Sequence, residues 1–371
     1  MNGELINALS QIERERNIPF GVLIEAIEAA LMSAYKRDFG QSPNIAVTID
    51  RKTGEVHVMA KKVVVCDVID PEIEISKNKL PEHGVLGDIG ETVDIEVTPQ
   101  GFGRIAAQTA KQVIVQRLRE AERDVVFSEF TDRQGDILTG TVQRFEHRNI
   151  FVDLGKTEAF LPQTEQIARE HFKQGQRIKV YVTEVRKTVR GPQIVVSRSH
   201  PWFVGKLFEL EVPEIQDKIV EIKGIAREPG FRTKIAVASN NPRVEPIGAC
   251  VGHKGMRVQA IGDELKNERV DIIAWSEDPV VFVTNALSPA KPTKVILNKE
   301  QHSALAIVPD PKLSLAIGKE GQNVRLAVRL TGWKIDVKSE SQMRQEEGGS
   351  ASSREEQTER GHVVSQVDSK G

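Results

Sequence analysis

Ala249-Cys250-Val251-Gly252-His253-Lys254-Gly255-Met256-Arg257-Val258 and Leu315-Ala316-Ile317-Gly318-Lys319-Glu320-Gly321-Gln322-Asn323-Val324 share one outline. Each puts an aliphatic residue before a G-x-x-G frame and a valine three residues after its second glycine. The apolar run ahead of each frame reads as a strand, and the residues behind it read as the start of a helix. A turn without side chains at two positions lets a phosphate reach the backbone, and the helix N-terminus behind it aims free N–H groups there. A single frame of this kind is an ordinary helix-entry turn. Two in matching surroundings point to a clamp for a nucleic-acid backbone.

The surroundings match over whole modules. In the first, a helix through Phe208 and Ile215 precedes strands at Ile219–Ile225 and Lys234–Ala238. The Gly252 loop, a helix to Leu265 and a strand at Val270–Trp275 follow. In the second, a short helix at Val283–Leu287 precedes strands at Lys294–Leu297 and Ala304–Val308. The Gly318 loop, a helix to Leu330 and a strand at Trp333–Val337 complete it. The repeated order is that of an internal duplication, and each module has the outline of a KH domain, whose G-x-x-G loop clamps about four nucleotides of single-stranded RNA. The candidate RNA-binding residues are Gly252, His253, Lys254, Gly255 and Arg257 in the first loop. In the second they are Gly318, Lys319, Gly321, Gln322, Asn323 and Arg325. Glu320 sets a negative charge inside the second loop, which is expected to grip less tightly than the first. Val258, Ile261, Val324 and Leu326 read as core.

Upstream, short strands at Ile137–Arg144, Ile150–Leu154, Glu158–Leu161, Arg177–Val185 and Gln193–Ser197 predict a small OB-type barrel, with one helical insertion near Glu165–Phe172. Arg144, Phe145, His147, Arg148 and Phe151 interleave basic and aromatic residues, as a base-stacking platform requires. Arg186, Lys187 and Arg190 add a basic rim. Either Phe145 or Phe151 also fits an inward, core position. Gly155-Lys156-Thr157 looks like the end of a phosphate loop, but Ile150 stands where the motif needs its first glycine, so it reads as a hairpin turn.

The first third of the chain mixes a helix from Ile18-Pro19 to Gly40, strands at Ile45–Ile49, Val56–Val65 and Val93–Val97, and a helix from Arg104 to Val126. Residues 1–132 carry a net charge of −7 and residues 133–200 one of +5, although the whole chain of 371 residues is only −2. An acidic front and a basic centre suggest two kinds of partner, the central one a polyanion. The two cysteines, Cys66 and Cys250, form no disulfide framework or C-x-x-C metal site. No secretory signal or membrane span is legible, so a cytoplasmic, reducing location is expected. The eight histidines form no metal-ligand pair, no nucleophile motif is present, and no cofactor is expected.

An N-terminal α/β domain, a barrel and tandem KH domains in this order resemble the NusA family of bacterial transcription factors. Phe102-Gly103-Arg104-Ile105-Ala106-Ala107-Gln108-Thr109-Ala110-Lys111, Glu211-Val212-Pro213-Glu214-Ile215, Ile247-Gly248-Ala249-Cys250-Val251-Gly252 and Gly321-Gln322-Asn323-Val324-Arg325-Leu326-Ala327 carry the likeness. It covers residues 1 to about 340. The fold it implies is multidomain α+β, with an N-terminal domain at 1–130 and an S1 (OB-fold) barrel at 133–200. Two type II KH domains follow at 201–276 and 277–340, then a disordered tail at 341–371. The function it implies is a non-catalytic, monomeric elongation factor. Its first domain docks on RNA polymerase near the β-flap and RNA exit channel, and its other domains hold nascent single-stranded RNA. Pausing, termination and, with further Nus-type factors, antitermination are the expected outputs. Two departures stand out. Arg148 occupies the place of an aromatic that many S1 domains present to RNA, and the acidic C-terminal repeats of some relatives are absent. An RNA-processing enzyme with KH and S1 domains is the alternative. It needs a large catalytic core ahead of them and KH before S1, whereas here the order is reversed.

Overall fold

The computed structural model describes residues 2–16, 18–40, 44–189 and 191–345. The chain divides into two compact units, the first made of Met1–Glu129 with Thr188–Pro192 and the second of Phe130–Lys187 with the chain from Gln193 onward.

In the first unit, helices α1 (Asn2–Arg16) and α2 (Phe20–Phe39) precede strands β1 (Ile45–Ile49), β2 (Val56–Val65), β3 (Glu74–Ser76) and β4 (Thr92–Glu96), and α3 (Phe102–Thr131) closes the run. Pro19 stands immediately before α2, where its missing N–H costs nothing, and Gly40 ends the helix at a φ of +99°. Leu23, Ile24, Ile27 and Leu31 form the stripe that α2 buries against Phe102, Ala106 and Ala110 of α3 and against Val47 and Val58 of the sheet. β2 is central, antiparallel to β1 and β4 and parallel to β3. α1 lies outside the helices expected from the sequence, though Leu5, Leu9 and Ile12 recur at helical spacing and Leu9 is fully buried.

The second unit opens with a closed five-stranded barrel of β5 (Ile137–Glu146), β6 (Asn149–Asp153), β7 (Glu158–Leu161), β8 (Arg177–Thr188) and β9 (Gly191–Ser197), in the order β5-β6-β7-β9-β8. Ile150, Val152, Ala159, Leu161, Val180 and Val196 alternate inward and are buried. The helix expected at Glu165–Phe172 is absent. A single 3-10 turn at Gln163–Glu165 replaces it. The cause is tertiary: the carbonyl of Glu165 accepts the Arg198 N–H at 2.9 Å, and Glu170 turns inward to the Arg198 guanidinium.

Two modules of one topology follow. The first contains α4 (Pro201–Glu211), α5 (Pro213–Gln216), β10 (Val220–Glu228), β11 (Arg232–Ser239), α6 (Pro246–Val251), α7 (Met256–Glu264) and β12 (Arg269–Ala274). The second contains α8 (Pro279–Ala286), β13 (Lys294–Asn298), β14 (Ser303–Val308), α9 (Leu313–Ile317), α10 (Gln322–Thr331) and β15 (Lys334–Ser339). In both, the middle strand is antiparallel to the first and parallel to the last, the α-β-β-α-α-β pattern of a type II KH domain. The runs ahead of the glycine frames are helices, α6 and α9, not strands. Glu245 caps α6 by accepting the N–H groups of Ile247 and Gly248, and Pro246 starts it. Five or six apolar residues are too few for periodicity to separate helix from buried strand.

Beyond β15, residues 340–345 are helical, with the Ser341 hydroxyl donating to Asp310 at 2.7 Å. The rest of the tail expected to be disordered, 346–371, lies outside the described residues. No helix among the described residues is long and apolar enough to cross a membrane.

Candidate nucleic-acid interface

The two glycine loops have the same backbone. Gly252 and Gly318 stand at φ/ψ of 74°/176° and 78°/170°, and Gly255 and Gly321 at 78°/11° and 72°/12°. Between them, Lys254 and Glu320 take positive φ values of 51° and 54°, which a side-chain-bearing residue adopts only under constraint. No side chain caps α7 or α10, and the Met256 and Gln322 N–H groups that open them bond back to the His253 and Lys319 carbonyls. His253, Lys254, Lys319 and Glu320 are all exposed on these loops.

The glycines within each pair differ in purpose. A Cβ on Gly252 would come within 2.7 Å of the Arg257 side chain, and one on Gly318 within 2.8 Å of the Asn323 backbone nitrogen. The first glycine is therefore demanded from behind, by the helix that packs on it. A Cβ on Gly321 would meet nothing within 4 Å, and one on Gly255 only Val258 at 3.9 Å. The second glycine serves the left-handed turn and leaves the outer surface of the loop clear.

Arg257 and Asn323 hold equivalent positions, and both work behind the loop. Arg257 Nη1 donates to the Ala249 carbonyl at 2.6 Å and to the Glu214 carboxylate at 2.9 Å. Asn323 is fully buried, and its Nδ2 donates to the carbonyls of Ala316 at 2.9 Å and Leu287 at 3.1 Å. Both therefore staple the end of the helix before the loop, where carbonyls lack helical partners. The Asn323 Oδ1 has no partner among the described residues, a cost accepted to serve those carbonyls. Asn323, expected to face RNA, is shielded from it. Arg257 is committed to Glu214 and Ala249.

Gln322 and Arg325 also have a second task. Both reach Glu228 at the end of β10, Gln322 Nε2 at 2.8 Å and Arg325 Nε at 2.6 Å. Arg325 holds the Glu228 carboxyl below the usual carboxylate range. Arg325 Nη1 also donates to the Glu320 carbonyl at 3.2 Å. The second loop is thus tied to the first module. Beside the loops, Met256, Leu315 and Ile317 are 61%, 47% and 38% exposed, an apolar floor next to the glycine turns. Ile261 and Leu326 are buried core, as expected.

On the barrel, Phe151 and Phe160 are cross-strand partners on the outer face, with ring centroids 5.5 Å apart. Phe160 was missed in the sequence, although Glu158-Ala159-Phe160-Leu161 alternates as β6 does and puts Phe160 on the face of Phe151. The aromatic pair is therefore present in a different place from the one Arg148 vacates. His147 and Arg148 form the two-residue turn between β5 and β6, at φ of 48° and 68°. Arg144 lies over the Phe151 ring, 3.8 Å from its centroid. Arg186 pairs with Glu184 at 2.6 Å, Phe145 is half exposed, and Arg190 lies outside the described residues. Gly155-Lys156-Thr157 is a hairpin turn, with the Leu154 N–H bonded to the Thr157 carbonyl at 3.0 Å.

Buried charged side chains link the three modules of this unit. Arg198 is 1% exposed; it bonds both oxygens of Glu170, the Lys179 carbonyl, and both the carboxylate and the carbonyl of Glu264 on α7. Arg227 and Glu268, both buried in the first KH module, form a two-pronged pair at 2.9 Å, and Arg227 Nη1 also donates to the Arg198 and His200 carbonyls. Lys234 is buried on β11 between Asp271 at 3.3 Å and the Ser288 carbonyl at 2.8 Å, and burial pulls its ammonium down to about 8.

In the first unit, an apolar groove of about 690 Å³ lies between α1, α2, the sheet and the first half of α3. Leu5, Ile27, Ala106, Ala110 and Ile114 line it, with His57 and Lys111 among the polar groups.

A small barrel with an aromatic pair on its face, followed by two type II KH modules whose glycine loops share one backbone conformation, defines a multidomain RNA-binding protein. The sequence matches the NusA N-terminal domain family over residues 4–124, the S1 RNA binding domain over 131–197, and the NusA-like first and second KH domains over 198–275 and 279–345. It is similar to the transcription termination/antitermination protein NusA of Bacillus subtilis, 56% identical over 349 residues that cover 93% of each chain. With its counterpart from Halalkalibacterium halodurans it shares 55% over 342 residues, 92% of this chain and 90% of that one. The solution structure of the N-terminal domain of NusA from Bacillus subtilis is 52% identical and covers 33% of this chain and 99% of that one, at a TM-score of 0.29. The chain belongs to the NusA family.

Proposed function

We propose that this chain is a non-catalytic transcription elongation factor that grips nascent single-stranded RNA while its N-terminal domain, residues 1–130, docks on RNA polymerase near the RNA exit channel. Residues 133–200, 201–276 and 277–340 act as three successive RNA-holding modules. Pausing, termination and antitermination respond to that grip, and the protein works as a cytoplasmic monomer. The observation that carries the reading is the shared backbone conformation of two loops, each clear on its outer surface and backed by a helix N-terminus that no side chain caps. His253, Lys254 and Lys319 are the cations best exposed for this role. The ion-paired junctions support the modules acting together, because RNA released by one loop stays near the next. An acidic first domain with a 690 Å³ apolar groove favours a protein partner there over a polyanion.

Replacing His253-Lys254 and Lys319-Glu320 with Asp-Asp tests this reading. RNA affinity is expected to fall, and its dependence on salt to flatten by about 0.7 in log–log slope for each phosphate the loops no longer hold. Binding to polymerase core enzyme should be unchanged. Wild-type RNA affinity in the doubly altered chain would refute the clamp.

A further inference from the structure

The barrel face carries an interaction that a simple stacking platform does not need. Arg144 on β5 lays its guanidinium 3.8 Å from the Phe151 ring centroid, which roofs one face of the ring. The same guanidinium is bonded through Nη1 to the Glu158 carboxylate on β7, with Glu146 a further neighbour at 3.8 Å. Glu158 and Phe160 both belong to β7, so one short strand supplies both the second aromatic and the carboxylate that fixes the roof. The bond to Glu158 raises the Arg144 guanidinium further above its ordinary range. A base can stack only on a ring face that is free, and a phosphate attracts a cation less when a carboxylate already neutralises it.

We infer that Glu158 sets the RNA affinity of the barrel by latching Arg144 across Phe151, so that single-stranded RNA engages this face by drawing Arg144 off Glu158 onto a phosphate and stacking a base on the uncovered ring. The inference rests on the reading of the barrel as an RNA-holding module. Its chemistry is an exchange of one carboxylate for one phosphate diester at a single guanidinium. Arg144, Glu146 and Glu158 are all part exposed, and the exchange takes place in water. The latch is therefore weak enough for RNA to open and strong enough to be measured.

The test uses the full chain with both KH loops disabled by His253→Asp, Lys254→Asp and Lys319→Asp, binding a fluorescein-labelled oligouridine 12-mer across a series of KCl concentrations. Glu158→Gln in that background is expected to tighten binding about three- to tenfold. It should also steepen the log–log salt slope by roughly 0.7, the mark of one added phosphate partner. Neither change should appear when Arg144→Gln is also present. Unchanged or weaker binding by Glu158→Gln overturns the latch; weaker binding would mean that the base stacks on the fixed guanidinium instead. An equal gain without Arg144 also overturns it, since mere removal of a negative charge then suffices. Failure of the underlying reading looks different: Phe151→Ala with Phe160→Ala would leave oligouridine binding untouched. A substitution that loosened the barrel would not produce tighter binding with a steeper slope.

Discussion

Arg257 and Asn323 have little chemistry in common, yet they occupy one structural position and do one job. Each lends N–H donors to carbonyls that the helix before its glycine loop leaves without partners. Three substitutions separate that support from the loop surface. Asn323→Ala should cost about 2–4 kcal/mol, because buried carbonyls of Ala316 and Leu287 lose their donor. Gly321→Ala should cost only the left-handed strain of about 1–2 kcal/mol, since its Cβ would point into open space. Gly318→Ala should cost about 1–3 kcal/mol more than that, because its Cβ would strike the Asn323 backbone. Urea unfolding of the three variants checks the order; equal losses at both glycines would contradict it.

Among the elements, the connections matter as much as the strands. The stretch Glu165–Phe172 carries a helical pattern, but Glu170 is drawn inward to Arg198 and the helix is not made. Buried arginines in such places are held by geometry. Removing one partner strands a charge, at a cost of about 3–5 kcal/mol. Glu268→Ala should cost about this much, and Glu170→Ala less, because the Glu264 carboxylate still reaches Arg198. The Glu170 change is expected to expose the segment between β7 and β8 to protease before the rest of the unit, which limited proteolysis followed by mass spectrometry would read. Simultaneous loss of every element would mean that the network does not act locally. Elements with strong alternation or long stripes, such as β2, β7 and α2, are legible in the sequence to within a residue or two. α6 and α9 are not, because a turn and a half of apolar residues has no measurable period.

Taken whole, the second unit is three small domains joined by side chains that no single domain needs. Lys234 shows how this couples to pH. In the unfolded chain its amine keeps a proton to about 10.5, and in the fold only to about 8. Between those values the unfolded chain binds more protons, so this group makes stability rise with pH. Cys250 acts with the opposite sign. Burial raises its thiol from 9.0 to about 12, so above pH 9 the unfolded chain releases a proton that the fold retains, and stability falls. The expected profile rises from pH 8 towards 9 and flattens beyond. Lys234→Met should remove the rise, and Cys250→Ala should let the rise continue past pH 9 instead of flattening. Thermal melts from pH 7.5 to 10.5 check both; a wild-type curve that falls steadily from pH 8 would refute the Lys234 assignment.

The sequence by itself determined the domain order, the class of each module and the two loops, because glycine frames, alternation and duplication are local and survive without a third dimension. It also marked Phe151 and the exposed loop cations. The tertiary structure alone decided which candidates face outward and which are committed elsewhere. Asn323 and Arg257 turn behind the loop, Gln322 and Arg325 reach back to Glu228, and Arg144 bonds to Glu158. Each of these outcomes depends on a partner brought close by folding rather than by chain position. A polar side chain beside a motif carries no local mark of whether solvent, a ligand or a buried carbonyl will meet it.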